Sequence, residues 1–515
     1  MYKSILQFCE EGIIKLEDVS ADFYEKPENI AGFVAGVSSV FIKAGCEFIG
    51  EIFSELNQMI RESQARKDKW EVVRTDTKKM LCSLGEFTYK KTLFKNKKTG
   101  ERTYLLDHYL GIESFARLTE DAQAKMLEEA VQTSYRRAGE STSLTDNVSK
   151  GTVKNRLHEL QFPKAEYPEK RKKVEYLYID ADEDHVPLQF IESKGDLKTD
   201  RNGRTINNVQ TKLVYVYEGI EPEAPGSKRY KLVNAHYFSG VYEGKDNENL
   251  WEEVYEYIEN TYDLDSVKKI YLNADGGSWI KAGKIKIPGI VSVLDEYHIN
   301  KYLTSMTTHL YDSAEDGRNL LRDVIRRGTK MEFVEAVERL KDYAEDINAV
   351  YRIETGAAYI MSNWTAAKIR LNRSTGVIGS STEGHVSHVL ASRMSSRPMG
   401  WSKCGADKMA RLRAYHWNGG NMLDLVRYQS VVKCTNKAAK DEYVTVGQII
   451  KSEKEHHVHG KYYDHIQVSL PAQTRKILAI RDRCKCQYNN VVKVEYIFVG
   501  FTLLTTETQS WTEHL

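Results

Sequence analysis

Nine prolines and seven cysteines in 515 residues are few. The low proline count, beside a charged fraction of 29%, fits a folded, mostly helical soluble protein. The cysteines are scattered, and only Cys484 and Cys486 stand close together. One intervening residue is a poor spacing for a disulfide or a zinc knuckle, so the thiols read as reduced and the protein as cytoplasmic. An excess of charge is also missing. The 74 basic and 73 acidic residues nearly cancel, so composition does not announce nucleic-acid binding, and any basic surface has to be local. The start, MYKSILQFCEEG, meets acids too early for a signal peptide. No apolar run approaches the ~20 residues that a membrane helix requires, which predicts no membrane association. The length allows two to four domains and a substantial core.

What is abundant is acid in one place. KVEYLYIDADEDHVPLQ, Lys173 to Gln189, reads as a strand of β-branched, aromatic and aliphatic residues ending near Ile179. Asp180, Asp182, Glu183 and Asp184 follow, expected at the strand's exposed tip because acids are costly to bury. Four acids in five residues repel one another unless a cation holds them, and a hard divalent ion, Mg²⁺ or Mn²⁺, is the natural partner. A solvated acidic hairpin turn fits as well. A second stretch has the same grammar: VKKIYLNA, Val267 to Ala274, is a short strand ending at Asp275, Gly276 and Gly277. Ligands of open α/β sheets gather at strand carboxyl ends, so two such acids on neighbouring strands could share a metal.

Along the chain, apolar residues at helical spacing from Glu28 to Lys67 predict one long helix or two joined ones, either packing or dimerising. Residues 1–75 thus form an amino-terminal helical region. Residues 76–112 read as a hairpin turning at Lys98-Thr99-Gly100 and crowded with Lys90, Lys91, Lys95, Lys97, Lys98 and Arg102. Such a ribbon suits either solvent or DNA phosphates. Residues 113–163 read as a helix-turn-helix. Thr119 and Ser149 cap its first and last helices, with Val153, Leu157 and Leu160 inward and Lys150, Lys154, Asn155 and Arg156 outward. A linker spans 164–173. From 174 to 310, strands at Val174–Ile179, Val186–Ile191, Thr211–Tyr217 and Tyr230–Phe238, a helix from Asp246 or Asn247 and the Val267 strand follow one another. That is the order of an RNase H-like α/β core, a mixed sheet with flanking helices. Residues 311–375 read as a helical insertion with a Thr329/Glu332 capping box, and 376–433 complete the core with a helix starting at Glu383. Residues 434–515 have no assigned role, and the late run VEYIFVGFTLL carries no chemistry.

Four segments in this order, YLYIDADEDHV, YLNADGGSWI, LDEYHINKY and STEGHVSHVLASRMSSRPMGWS, resemble bacterial insertion-sequence transposases of the Lre type. These are DDE enzymes related to the Mutator-like group and formerly an uncharacterised protein family. The resemblance covers about Asn29 to Gln429. It implies that Asp182, Asp275 and Glu383 bind two Mg²⁺ or Mn²⁺ ions, with Asp295 and His298 as a secondary element. Asp182 best matches the family's Ala-Asp step, with Asp180 and Asp184 nearby. It further implies double-stranded DNA as partner, both terminal inverted repeats and target, and a homo-oligomer on paired ends.

The chemistry agrees with that assignment. Two divalent ions held ~4 Å apart activate a water, or a DNA 3′-hydroxyl, and stabilise the leaving oxygen. Arg393 and Arg397 are candidate phosphate contacts. His385 and His388 read as packing or helix-surface residues, and Trp279, Trp364 and Trp401 as core. Lys408 and Arg411 read as a solvated basic face, and His456, His457 and His459 as a histidine-rich loop without a partner set. A structure-specific nuclease with the same core, and a DNA-binding protein with idle acids, are the alternatives.

Overall fold

The computed structural model describes residues 2–189, 198–199, 203 and 205–435. The expectations for His456, His457 and His459, for Cys484 and Cys486 and for VEYIFVGFTLL lie outside them.

The chain begins with α1 (Lys3–Gln7), a π-helical turn Phe8–Gly12 and α2 (Ile13–Glu25). Glu51 reaches the backbone N–H groups of Lys3 (2.7 Å) and Ser4 (2.8 Å). The long helix is α3 (Ile30–Glu62), capped by Asn29 at the Gly32 N–H, followed by α4 (Gln64–Lys69). One expectation fails here. α3 has 33 residues and an 18-residue window of mean hydropathy 1.4, long and apolar enough by composition to cross a membrane, and only 6% of that window is buried. The carboxyl half of α3 lies on a three-stranded antiparallel sheet, β1 (Trp70–Leu81), β2 (Glu86–Asn96) and β3 (Arg102–Tyr104). The two approach so closely that a Cβ on Gly50 would meet the Thr88 carbonyl oxygen at 2.4 Å. The turn at Lys98–Gly100 is where it was expected, with Gly100 at φ +75°. Strand β1, however, occupies residues assigned to the helical region.

After α5 (Leu105–Tyr109) come α6 (Glu120–Gln132), α7 (Tyr135–Glu140) and α8 (Lys150–Glu159). Ser149 caps α8 through the Thr152 N–H at 3.1 Å, while Thr119 donates its hydroxyl to the Leu81 carbonyl instead of capping α6.

The central strands are β4 (Tyr176–Pro187), β7 (Asn208–Tyr217), β10 (His236–Val241), β11 (Lys269–Ala274) and β12 (Ile290–Leu294). Two short ribbons accompany them, β5 (Lys198–Thr199) with β6 (Thr205–Ile206) and β8 (Gly219–Pro222) with β9 (Tyr230–Val233). The expected strand Tyr230–Phe238 is broken in two at Asn234, whose φ is +52°. The five-stranded order is β10-β7-β4-β11-β12. The β10–β7 and β7–β4 pairs are antiparallel, and the β4–β11 and β11–β12 pairs are parallel. Between β10 and β11 lies α9 (Asp246–Thr261), and between β11 and β12 lies α10 (Ile280–Lys286). Both cover one face through Leu250, Trp251, Val254, Ile280 and Ile287.

Beyond β12 a helical block contains α11 (Glu296–Thr307), α12 (Ala314–Arg327), α13 (Lys330–Asp342), α14 (Ile347–Ser362) and α15 (Trp364–Asn372). The Thr329/Glu332 capping box is present, and Phe333, Val337 and Leu340 are buried, but Ile347 and Tyr351 face solvent. The chain returns through α16 (Thr382–Val386), a π-helical turn Ser387–Ala391 and α17 (Ser392–Met394), then α18 (Lys403–Trp417) and α19 (Met422–Thr435). Side chains of α6, α8, α18 and α19 share one continuous core with Tyr178, Tyr215, Tyr217 and Tyr271 on the other sheet face. The three-helix unit is therefore packed onto the sheet assembly.

Candidate active site

The acids do not sit beyond a strand end, as the sequence suggested. Strand β4 runs through all of them to Pro187 and pairs with β7 along its whole length. In the parallel register Asp180 faces Asn273, Ala181 faces Ala274, and Ala274 faces Leu294. The next residue on each strand is an aspartate: Asp182 on β4, Asp275 after β11 and Asp295 after β12. Three adjacent parallel strands thus deliver three carboxylates at one level, and the Asp295 N–H donates to the Ala274 carbonyl at 3.1 Å. Gly276, at φ +87°, turns the chain away so that Asp275 accepts from the Gly277 N–H at 2.8 Å. Asp182 accepts from the Glu183 N–H at 2.8 Å.

Burial pushes the Asp182 carboxyl up to about 7, and the negative charges of Asp275 and Glu183 add to it, while His298 opposes. His298 is also shifted upward, chiefly by its 3.3 Å contact with Asp295 and further by the charges of Asp275 and Asp182. Asp182, Asp275, Asp295 and His298 therefore form one electrostatic unit. Neither Asp182 nor Asp275 has a lysine or arginine ion-pair partner among the described residues. Two hard oxygen donors, one made unwilling to ionise chiefly by burial and further by the other's charge, fit a divalent cation.

Glu383 lies in the exposed first turn of α16. It does not complete a cluster with the aspartates: among the described residues, no three His, Cys, Asp or Glu side chains converge to hold a metal ion. The neighbouring acids have other jobs. Asp180 is fully buried and accepts from Tyr215 (2.8 Å), Tyr217 (3.1 Å), Asn273 (2.7 Å), Ser380 (3.0 Å) and Thr382 (3.2 Å). Asp184 takes the Ser395 hydroxyl at 2.9 Å. Glu183 points to the opposite face and binds Gln210 (3.1 Å) and the Trp279 indole N–H. The Asp180 hub is what sequence reading missed. Its signal was the alternation Tyr176, Tyr178, Asp180, Asp182, which places the acids on the tyrosine face of one strand.

Of the residues expected at DNA, Lys90, Lys150, Lys154, Asn155 and Arg397 are exposed. Arg156 is half-buried and 3.6 Å from Glu159. Two are corrected. Lys91 is buried, ion-paired with Asp107 and 3.8 Å over the Tyr104 ring. Arg393 is buried, donates to the Ala130 carbonyl at 3.1 Å and stacks 4.9 Å from Trp401. Each found an internal partner that composition does not reveal. Lys408 and Arg411 are likewise engaged internally, at the Leu160 carbonyl and at Asp407. His385 packs against Tyr215 and Tyr237, and Trp279, Trp364 and Trp401 are core, as expected.

Residues 26–430 match the model of an uncharacterised protein family, UPF0236. Among curated relatives in Caldanaerobacter subterraneus subsp. tengcongensis, UPF0236 protein TTE2489 is 35% identical over 424 residues, covering 82% of this chain and 85% of that protein. UPF0236 protein TTE0402 is 34% identical over 424 residues, 82% of this chain and 80% of its own. Another, 34% identical over 422 residues with coverages of 82% and 85%, carries a name that joins eleven designations, from TTE0033 to TTE2212. Over most of its length, then, this chain belongs to the UPF0236 family.

Proposed function

We propose that this chain is a DDE transposase: it binds the terminal repeats of an insertion sequence and catalyses metal-dependent DNA strand cleavage and strand transfer. The observation that carries the reading is the alignment of Asp182, within β4, with Asp275, one residue past the carboxyl end of the neighbouring parallel strand β11. The sheet order supports it. Numbered within the core, the strands lie third, second, first, fourth, fifth, with the first three antiparallel, as an RNase H-like fold requires. The helical block between β12 and Glu383 agrees with the resemblance. So does the relative whose single name joins eleven designations, since a sequence that copies itself leaves many genes for one protein.

In this reading Asp182 and Asp275 hold Mg²⁺ or Mn²⁺, and Glu383 is the third ligand. Two bound ions would supply Lewis acidity and a nucleophilic hydroxyl or 3′-oxygen at neutral pH. The chain's part is to present carboxylates that a bound cation would keep ionised against burial and mutual repulsion, to orient DNA through α8 and the β1–β2 ribbon, and to set two DNA ends side by side in a homo-oligomer. A chain that acts on nucleoid DNA would do so in the cytoplasm. The unassembled third ligand favours one competing reading, a DNA-binding protein with idle acids.

The test is an in vitro reaction of the protein with DNA carrying the element's end sequences, a target plasmid and Mg²⁺ or Mn²⁺. Joined products that vanish in Asp275→Asn are expected. Cleavage without joining would leave a nuclease, and repeat binding without cleavage would leave the idle-acid protein.

A further inference from the structure

Asp180 is the one acid of the cluster that is fully enclosed, and no residue of the proposed chemistry requires it there. Five hydroxyl and amide groups lie within hydrogen-bond distance of its two oxygens. Three belong to the sheet: the Tyr215 and Tyr217 hydroxyls of β7 and the Asn273 amide of β11. The other two belong to the loop that carries Glu383. Ser380 Oγ lies 3.0 Å and Thr382 Oγ1 3.2 Å from Asp180 Oδ2; the two hydroxyls are also in contact, so one can donate to the carboxylate while the other donates to its neighbour. A second tether reaches the same loop. The buried Arg370 guanidinium, from α15, donates to the Asn273 Oδ1 at 2.6 Å, to the Leu294 carbonyl at 3.0 Å and to the Ile378 carbonyl. Its bond to Oδ1 fixes which way the Asn273 amide faces and so aims Nδ2 at Asp180.

We propose that Asp180 is a positioning residue for Glu383: it latches the Ser380–Thr382 loop to β4 two residues before Asp182, so that the first turn of α16 starts from a fixed point on the strand that carries Asp182. The inference rests on the reading of Glu383 as the third ligand. Residues 373–381 form no helix or strand, and Glu383 itself is exposed; the Tyr178 and Tyr271 hydroxyls hold the loop earlier, at the Gly376 and Thr375 carbonyls, and Tyr237 meets His385 later, so the Ser380 and Thr382 hydroxyls are the ties immediately beside Glu383. Burying a carboxylate is costly, and an apolar residue would fill the same space. Asp180 satisfies donors from β7, β11 and the loop at once, which no apolar side chain does. Because three sheet donors remain when the loop donors are removed, the latch can be tested without emptying the core.

The test compares Ser380→Ala/Thr382→Val, Thr382→Ser, Glu383→Gln and the triple Ser380→Ala/Thr382→Val/Glu383→Gln. Mn²⁺ binding is read by calorimetry on the full chain, with thermal unfolding and DNA cleavage alongside. The latch predicts that Ser380→Ala/Thr382→Val weakens Mn²⁺ about 10- to 100-fold, the usual range for residues that orient a ligand, with little change in unfolding temperature. Thr382→Ser, which keeps the hydroxyl, binds as the wild type does. The triple variant binds no more weakly than Glu383→Gln alone, because the latch acts only through that residue. Wild-type affinity in the loop variant overturns the latch, and so does a triple variant whose losses add in full. If the wild type binds Mn²⁺ and cleaves through Glu383 while the loop variant is unaffected, the latch alone fails. If the wild type neither binds Mn²⁺ nor cleaves, the functional reading fails and the latch with it.

Discussion

Asp182 holds its proton up to about pH 7 in the fold, against an ordinary carboxyl value of 3.8 in the unfolded chain. Between those values the native state binds more protons than the unfolded one, so stability falls as pH rises from near 4 through 7. Asp182→Asn keeps the shape and removes the charge. In EDTA at about pH 8 it is expected to exceed the wild type by roughly 2–4 kcal/mol in urea unfolding, with the gap closing below about pH 4. Equal midpoints across that range would mean that the carboxylate is not penalised by its surroundings. Asp180→Asn, two residues earlier on the same strand, is by contrast a change at the centre of a buried network. The cluster of acids was legible as a site, but its division of labour was not. Charge density says that carboxylates repel. Only the pairing of β4 with β7 and β11 says that Asp180 faces two tyrosines and an asparagine, while Asp182, two residues on, meets Asp275.

At the scale of elements, α8 and the Arg393 segment look alike in sequence, each basic and helical, and the structure separates them. Lys154 is exposed and makes no ion pair among the described residues, so Lys154→Ala is expected to leave stability within ~0.5 kcal/mol. Electrophoretic or fluorescence titration across salt concentrations should show weaker DNA binding, with the salt slope reduced by about 1 if the contact is to phosphate. Arg393→Ala should do the reverse. Arg393 and the buried Arg413 donate to the carbonyls of Ala130 and Val131 in the last turn of α6, 3.1 and 2.6 Å away, where a helix's dipole favours cations. Losing one such clamp should cost about 2–4 kcal/mol while the salt slope stays unchanged. A large salt effect with no loss of stability would return Arg393 to the DNA surface. The helices of 113–163 were readable because Ser149 caps and Val153 and Leu157 keep a face. Strand β1 was not, because WEVVRTDTKKML is exposed along most of its length and shows no alternation to read.

For the molecule as a whole, the unusual feature is α3. Ile30, Val34 and Phe41 are 62%, 55% and 51% exposed, and Ile13 and Ile14 of α2 are exposed beside it. Exposed apolar residues of this kind suit contact with a partner. Transposition requires two DNA ends in one complex, and the proposed function gives that face a role as part of the contact between copies. Val34→Asp with Phe41→Asp places two charges in it and leaves the sheet-covered half of α3, around Gly50 and Asn57, untouched. Multi-angle light scattering with end-sequence DNA is expected to give at least two chains and two DNA ends per wild-type complex, and one of each for the double variant. Binding of a single end should be preserved, because α8 and the β1–β2 ribbon are unchanged, while strand transfer should fall sharply. The length and apolarity of α3 also suit a bilayer, and the same pair of variants decides between the two. If wild-type protein sediments with lipid vesicles and the aspartates release it, while its DNA complexes hold one chain throughout, α3 serves a membrane and the paired-end assembly has to be sought on another face.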